Sequence, residues 1–130
     1  WDIISGKKSL TLSLINAEDL VDTGDIWKKK NIQLNGTELY DEINSLLFEG
    51  EIELITWACK NIDSAKPKPQ IKRKTNYHRK RTMDDSKIDI NKSIKDQFNL
   101  LRICDSKRYP AFFEINGRKF KLFIQRFDEE

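Results

Sequence analysis

Residues 16–26, NAEDLVDTGDI, bring Glu18, Asp19, Asp22 and Asp25 together around a Thr23-Gly24 turn, with apolar, strand-like segments on either side. Such a stretch can be a solvated acidic loop, a cation site, or a loop that offers one carboxylate for proton transfer. A calcium loop needs oxygen ligands at alternate positions, and Lys28 to Lys30 fall where further carboxylates would be required. Calcium is therefore set aside. Asp22 as a turn residue bonding its own backbone stays open beside the catalytic reading. His78 is the only histidine, and Cys59 and Cys104 lie far apart without a CxxC or Cys/His spacing. No metal site is expected, and both cysteines read as buried free thiols in a reducing compartment.

A second chemistry lies in residues 66–81, KPKPQIKRKTNYHRKR, which hold eight Lys or Arg and no acid. The rest of the chain carries 16 basic residues against 21 acidic ones, a formal −5 hidden behind the overall +3. A basic island on an acidic body points to a phosphate-bearing partner, with a solvated linker as the alternative. Within it, Tyr77 stands beside Arg79 and Arg81, so that a ring could stack on a base while guanidinium groups pair with phosphate. A charged connector with Tyr77 packed on the body is the competing reading. Arg102, within an apolar helix, needs a partner, for which Asp84, Asp85 and Asp89 are the candidates.

The elements that must position these groups follow from periodicity. Ser9 to Ile15 alternates small or polar residues with Leu, as a strand with one buried face does. Asp25 to Leu34 reads as a second strand, with Ile26, Ile32 and Leu34 inward and Lys28 to Lys30 exposed. Thr37 is the expected N-cap of a helix whose apolar stripe runs through Leu39, Ile43, Leu46, Leu47, Leu54, Ile55 and Ala58, with Gly50 a weak point. Pro67 and Pro69 end this layer. A second helix is predicted over Asn91 to Ile103, with Ile94, Phe98, Asn99 and Leu101 facing the body. Asn116-Gly117 predicts a hairpin whose apolar face is Phe113, Ile115, Phe120, Leu122 and Ile124. Hydrophobic residues are 38% and charged residues 35% of the chain, enough for a core under a well-solvated surface. No apolar run is long enough for a bilayer and no signal-like start is visible, so a soluble, cytoplasmic protein is expected.

Four stretches, in order, then resemble the second half of the N10-formyltetrahydrofolate-dependent formyltransferases, the superfamily of methionyl-tRNA formyltransferase and the sugar N-formyltransferases. They are WDIISGKKSLTLSL, LVDTGDI, NYHRKRTMDDSKID and FNLLRICDSKRYPAFF. The second matches the family's Asp-x-Gly loop. Ser9 and Ser13 stand where many members have Gly and His. The resemblance implies an α/β fold: edge strands and a helix of a Rossmann-like core, then a small C-terminal helix and β-hairpin, in a fragment of a larger protein. The implied divisions are a core part over 1–65, a basic connector over 66–90 and a helix-hairpin subdomain over 91–130. Trp1 without an initiator Met agrees with a fragment, and the family's catalytic Asn and His would lie upstream, so the chain alone is expected to be inactive.

The resemblance makes Asp22 the catalytic carboxylate, holding a histidine in its charged form and helping to move the amine proton. The backbone of Asp19, Leu20 and Val21 would line the pterin of N10-formyltetrahydrofolate, with Gly24 permitting the sharp turn. Tyr77, Arg79 and Arg81 would hold the acceptor. The tRNA enzymes continue into a further β-barrel, whereas this chain stops after one hairpin. The expected acceptor is therefore a nucleotide-linked deoxy-amino sugar for surface polysaccharide biosynthesis, with a homodimer formed through the hairpin. Methionyl-tRNA formylation and a non-catalytic phosphate- or nucleic-acid-binding module are the alternatives.

Overall fold

The structure is a computed structural model and describes residues 1–71 and 78–127. The chain folds as two compact units interleaved along the sequence. One comprises Ser9–Leu34 and Ile43–Tyr77; the other comprises Trp1–Lys8, Asn35–Glu42 and His78–Glu130.

In the first unit, β1 (Ser9–Ile15) pairs antiparallel with β2 (Ile26–Gln33), and the register shifts between Leu14 and Ile15. As expected, Ile32 and Leu34 are buried and Lys28 and Lys29 are exposed, but Lys30 is half-buried and paired with Glu53, because three consecutive strand residues cannot all face outward. Helix α1 (Tyr40–Asn61) contributes Ile43, Gly50 and Leu54 as its buried residues. Gly50 does not split the helix. A Cβ there would stand 2.6 Å from Leu12 Cδ1 and 3.0 Å from Ile32 Cδ1, so the missing side chain lets helix and sheet approach closely. Ile55 departs from the expected stripe and is 53% exposed, in line with Phe48 and Ile52 on a second apolar face.

Thr37 is not the N-cap. Its backbone N–H and its hydroxyl both donate to Asn35 Oδ1, at 2.8 and 2.7 Å, so it is spent on an Asx turn and α1 begins three residues later. Glu42 supplies the cap instead, accepting from Leu39 N at 2.8 Å. Cys59 is also a correction. It is exposed rather than buried, one residue beyond the half-buried Ala58 and therefore rotated off the packed face.

The second unit is built on Ile88, Leu101 and Ala111, with Leu100, Cys104, Phe113, Leu122 and Ile124 packed around them. Helix α2 spans Ile94–Leu101, shorter than predicted, because Ser93 caps it by accepting from Asp96 N. Ile94, in the unpacked first turn, is exposed. Strands β3 (Ala111–Ile115) and β4 (Arg118–Leu122) form the hairpin, and Asn116 (φ 50°) and Gly117 (φ 74°) are both left-handed, as a two-residue type I′ turn requires. Phe113 and Phe120 stack at 5.5 Å, but Ile115 and Phe120 are nearly half exposed. The buried residues include Phe112, on the opposite face, because Ile88 N donates to Phe112 O at 2.7 Å and brings a further segment against β3.

Arg102 closes this unit with a partner that the sequence did not offer. Its Nη1 donates to Glu38 O at 3.1 Å and lies 3.4 Å from Glu38 Oε2, while its Nε donates to Asn99 Oδ1 at 2.9 Å. Asp85 is engaged by Arg79 instead. Burial alone would raise the Glu38 carboxyl, but N–H donors from Asn35 and Gly36 and the Arg102 charge outweigh it and hold it below the ordinary value.

Candidate active-site loop

The acidic stretch forms the connection between β1 and β2. Its ends are tied together: Asn16 N donates to Asp25 O at 2.9 Å, and Trp27 Nε1 donates to Asn16 Oδ1. Inside it, Thr23 Oγ1 donates to Leu20 O at 2.8 Å. The expected role of Gly24 changes. The left-handed residue is Asp22, at φ 60°, a conformation that aspartate tolerates. Gly24 serves close approach, since a Cβ would lie 2.8 Å from the Asn16 carbonyl carbon and closer still to its oxygen.

Gln70 is the residue that sequence reasoning missed. Its Nε2 donates to Asp22 O at 2.8 Å and to Gly24 O at 2.7 Å, so one side chain fixes the backbone on both sides of Thr23. Gln70 is held in reach by an isolated antiparallel bridge, in which Ile26 N donates to Lys68 O and Lys68 N to Ile26 O, at 2.8 and 2.9 Å. Pro67 and Pro69 lack N–H groups, so the bridge extends no further.

The loop thus has a fastened backbone and free side chains. Glu18, Asp19, Leu20, Val21 and Asp22 are all exposed, and the Asp22 carboxylate makes no hydrogen bond or ion pair among the described residues. The self-bonded turn considered for Asp22 is not formed; the side-chain bond in the turn comes from Thr23. Leu20 and Val21 are 72% and 85% exposed, and the main-chain groups of Asp19 and Val21 have no partner among the described residues. Free amide edges beside apolar side chains can offer a ligand both hydrogen bonds and apolar contact.

The other expected site residues lie in the second unit. Arg79 is paired with Asp85, Nη1 to Oδ2 at 2.7 Å, and its Cζ lies 5.2 Å from the Trp1 ring centroid. The hydrogen bond to Asp85 raises the Arg79 pKa, and that same guanidinium holds the Asp85 carboxyl far below the ordinary value. Arg81 Nη2 donates to Ser86 Oγ at 3.1 Å, while its buried Nε has no partner among the described residues. His78 stacks on Trp1 at 6.1 Å. Tyr77 lies outside the described residues. Among those residues no group of three or more His, Cys, Asp or Glu is placed to hold a metal ion, and no helix is long and apolar enough to cross a membrane.

The fold matches that of formyltransferase domains. Methionyl-tRNA formyltransferases of Protochlamydia amoebophila and Malacoplasma penetrans are 25% and 28% identical over 95% of the chain. The methionyl-tRNA formyltransferase of Clostridium thermocellum superposes with a TM-score of 0.77 at 20% identity, over 98% of this chain and 55% of that one. A candidate sugar N-formyltransferase from Mycobacterium tuberculosis gives 0.76 at 18% identity, over 99% and 58%. HypX from Aquifex aeolicus in complex with tetrahydrofolic acid gives 0.76 at 22%, over 95% and 22%. No family model matches the chain. Sequence similarity along nearly the whole chain and the shared fold together support the formyltransferase superfamily as its family. The chain spans about two-fifths of the length of these curated relatives, 40% and 39%.

Proposed function

We propose that the protein containing this chain transfers a formyl group from N10-formyltetrahydrofolate to the primary amine of a nucleotide-linked deoxy-amino sugar. The observation that carries the reading is the loop itself, in which a fastened backbone presents Asp22 without an internal partner. Tetrahydrofolate bound to a structural neighbour supports the cofactor class. Asp19, Leu20 and Val21 would hold the pterin through their main chain, and Gly24 keeps that edge in place by packing on Asn16.

When bound, the cofactor supplies an activated formyl carbon. An amine that attacks it must lose a proton as the new C–N bond forms, and Asp22 is the carboxylate that accepts it, directly or through water, or steadies the charged group that does. The left-handed backbone and the Gln70 clamp keep that carboxylate from drifting between encounters, as proximity demands. Arg79 and Arg81, with Tyr77, would recognise the acceptor's phosphates. The Asp85 pairing fixes the Arg79 guanidinium in direction and leaves it partly exposed for an outward contact.

A sugar acceptor is favoured by charge. Outside residues 66–81 the chain is net acidic, which opposes an extended RNA surface. The methionyl-tRNA names of the curated relatives favour the second reading, in which the basic island meets RNA backbone. Nucleotide-sugar chemistry would place the protein in the cytoplasm, and exposed Phe120 and Phe123 offer a hairpin surface for a homodimer. The test supplies the full-length protein with N10-formyltetrahydrofolate and, separately, dTDP-amino sugars and methionyl-tRNA. Formylated amino sugar is the expected product; formylation of tRNA alone would give the site to the second reading, and no transfer to either would remove both.

A further inference from the structure

Beside the candidate active-site loop, the start of β2 and the strap of residues 66–71 enclose an open groove of about 520 Å³. Trp27, Lys28, Lys29, Lys66, Lys68 and Gln70 line it, so that four lysines and no acidic residue border the groove. We propose that this groove binds a small oligoanion, a diphosphate or an oligocarboxylate.

The lysines around the groove differ in what they meet. Lys30, next along β2, is paired with Glu53, and the Lys28 ammonium lies 4.6 Å from the Trp57 ring centroid. Lys29, Lys66 and Lys68 have neither an acidic partner nor an aromatic one among the described residues. Like charges held together repel, and one ligand with two or more negative groups relieves that repulsion at several lysines at once. Lysine is a compact point charge that accepts phosphate and carboxylate alike.

The groove is also prepared before any ligand arrives. Lys68 is fixed on β2 by the paired hydrogen bonds with Ile26, and Pro67 and Pro69 hold the strap extended on either side. Ile26, Trp27 and Ile71 add an apolar flank for the stem of a chain-like ligand. Gln70 lines the groove and clamps the Asp22 and Gly24 carbonyls, so an anion seated there lies next to the loop. Two sources share this chemistry: the phosphates of an acceptor and the glutamate carboxylates of a folate tail.

The test titrates the full-length protein by calorimetry with inorganic pyrophosphate in one arm and tri-γ-glutamate in the other, at low and at physiological salt. Two further proteins carry Lys29→Ala with Lys68→Ala, and Lys29→Arg with Lys68→Arg; both positions are exposed, and circular dichroism checks each fold. Saturable binding in either arm is expected, weakened roughly tenfold or more by the alanine pair, kept by the arginine pair, and reduced by salt. The arm that binds names the source. The proposal is overturned if neither anion binds, or if the alanine pair binds as the wild type does. It is equally overturned if a short RNA binds more tightly than both anions and loses that binding in the alanine pair. Naming these two sources rests on the proposed function, whereas binding is read without formyl transfer, so failure of the groove and failure of the reaction are told apart.

Discussion

Gln70 Nε2 donates to the carbonyl oxygens of Asp22 and Gly24, at 2.8 and 2.7 Å, across 48 and 46 positions of sequence. A single amide therefore sets the backbone of the loop that carries the candidate catalytic carboxylate. Gln70→Ala should reduce turnover roughly tenfold, the scale of one to two lost hydrogen bonds. Gln70→Glu should do the same, since a carboxylate cannot donate. Steady-state kinetics give the first readout, and faster amide exchange in residues 20–24 gives the second.

Gly24 is required by space and not by φ. Gly24→Ala should lower stability by about 2–4 kcal/mol, because the new methyl overlaps the Asn16 carbonyl and backbone must move. Gly36→Ala is the contrast. Nothing lies within 4 Å of a Cβ there, so only the φ of +97° resists it, at about 1–2 kcal/mol. Chemical denaturation of both variants orders them.

These two glycines show what was legible. The β1 alternation, the Asn116-Gly117 turn and the buried Ile32 and Leu34 follow from local pattern, and the structure bears them out. The start of α1 departs from the local pattern because Thr37 has a nearer acceptor in Asn35. The Arg102–Glu38 pair and the Gln70 clamp span 64 and 48 positions, and no local pattern marks a bond of that kind. At the loop, the residue types were readable, but the left-handed Asp22 and the close approach of Asn16 to Gly24 are set by contacts that no local pattern marks.

Arg102→Leu should be severe. Arg102 is 2% exposed and Glu38 8%, so the change leaves a buried carboxylate without its cation. A loss of about 3–5 kcal/mol is expected. Replacing both partners, Arg102→Leu with Glu38→Gln, should recover part of it, and a double-mutant cycle measures how much.

Asp105 accepts from Arg108 Nε at 2.7 Å and from Lys107 N at 2.8 Å, and these bonds, Arg108 first, lower its pKa from 3.8 to about 2. A depressed folded-state value stabilises the fold above the unfolded pKa and is lost as pH falls through the folded one. The wild type should therefore lose thermal stability between about pH 4 and pH 2. Asp105→Asn should be less stable at neutral pH and converge on the wild type near pH 2. Melting temperatures across that range decide it; parallel curves would refute the assignment.

The central claim is that Asp22 serves the reaction and not the fold. Asn also tolerates φ near 60°, so Asp22→Asn keeps the loop while removing its base. The decisive measurement is single-turnover formyl transfer by full-length Asp22→Asn beside Asp19→Asn and Asp25→Asn. Loss of turnover by roughly a hundredfold or more in the first alone, with wild-type melting, is predicted. Near-normal transfer by Asp22→Asn would contradict the account.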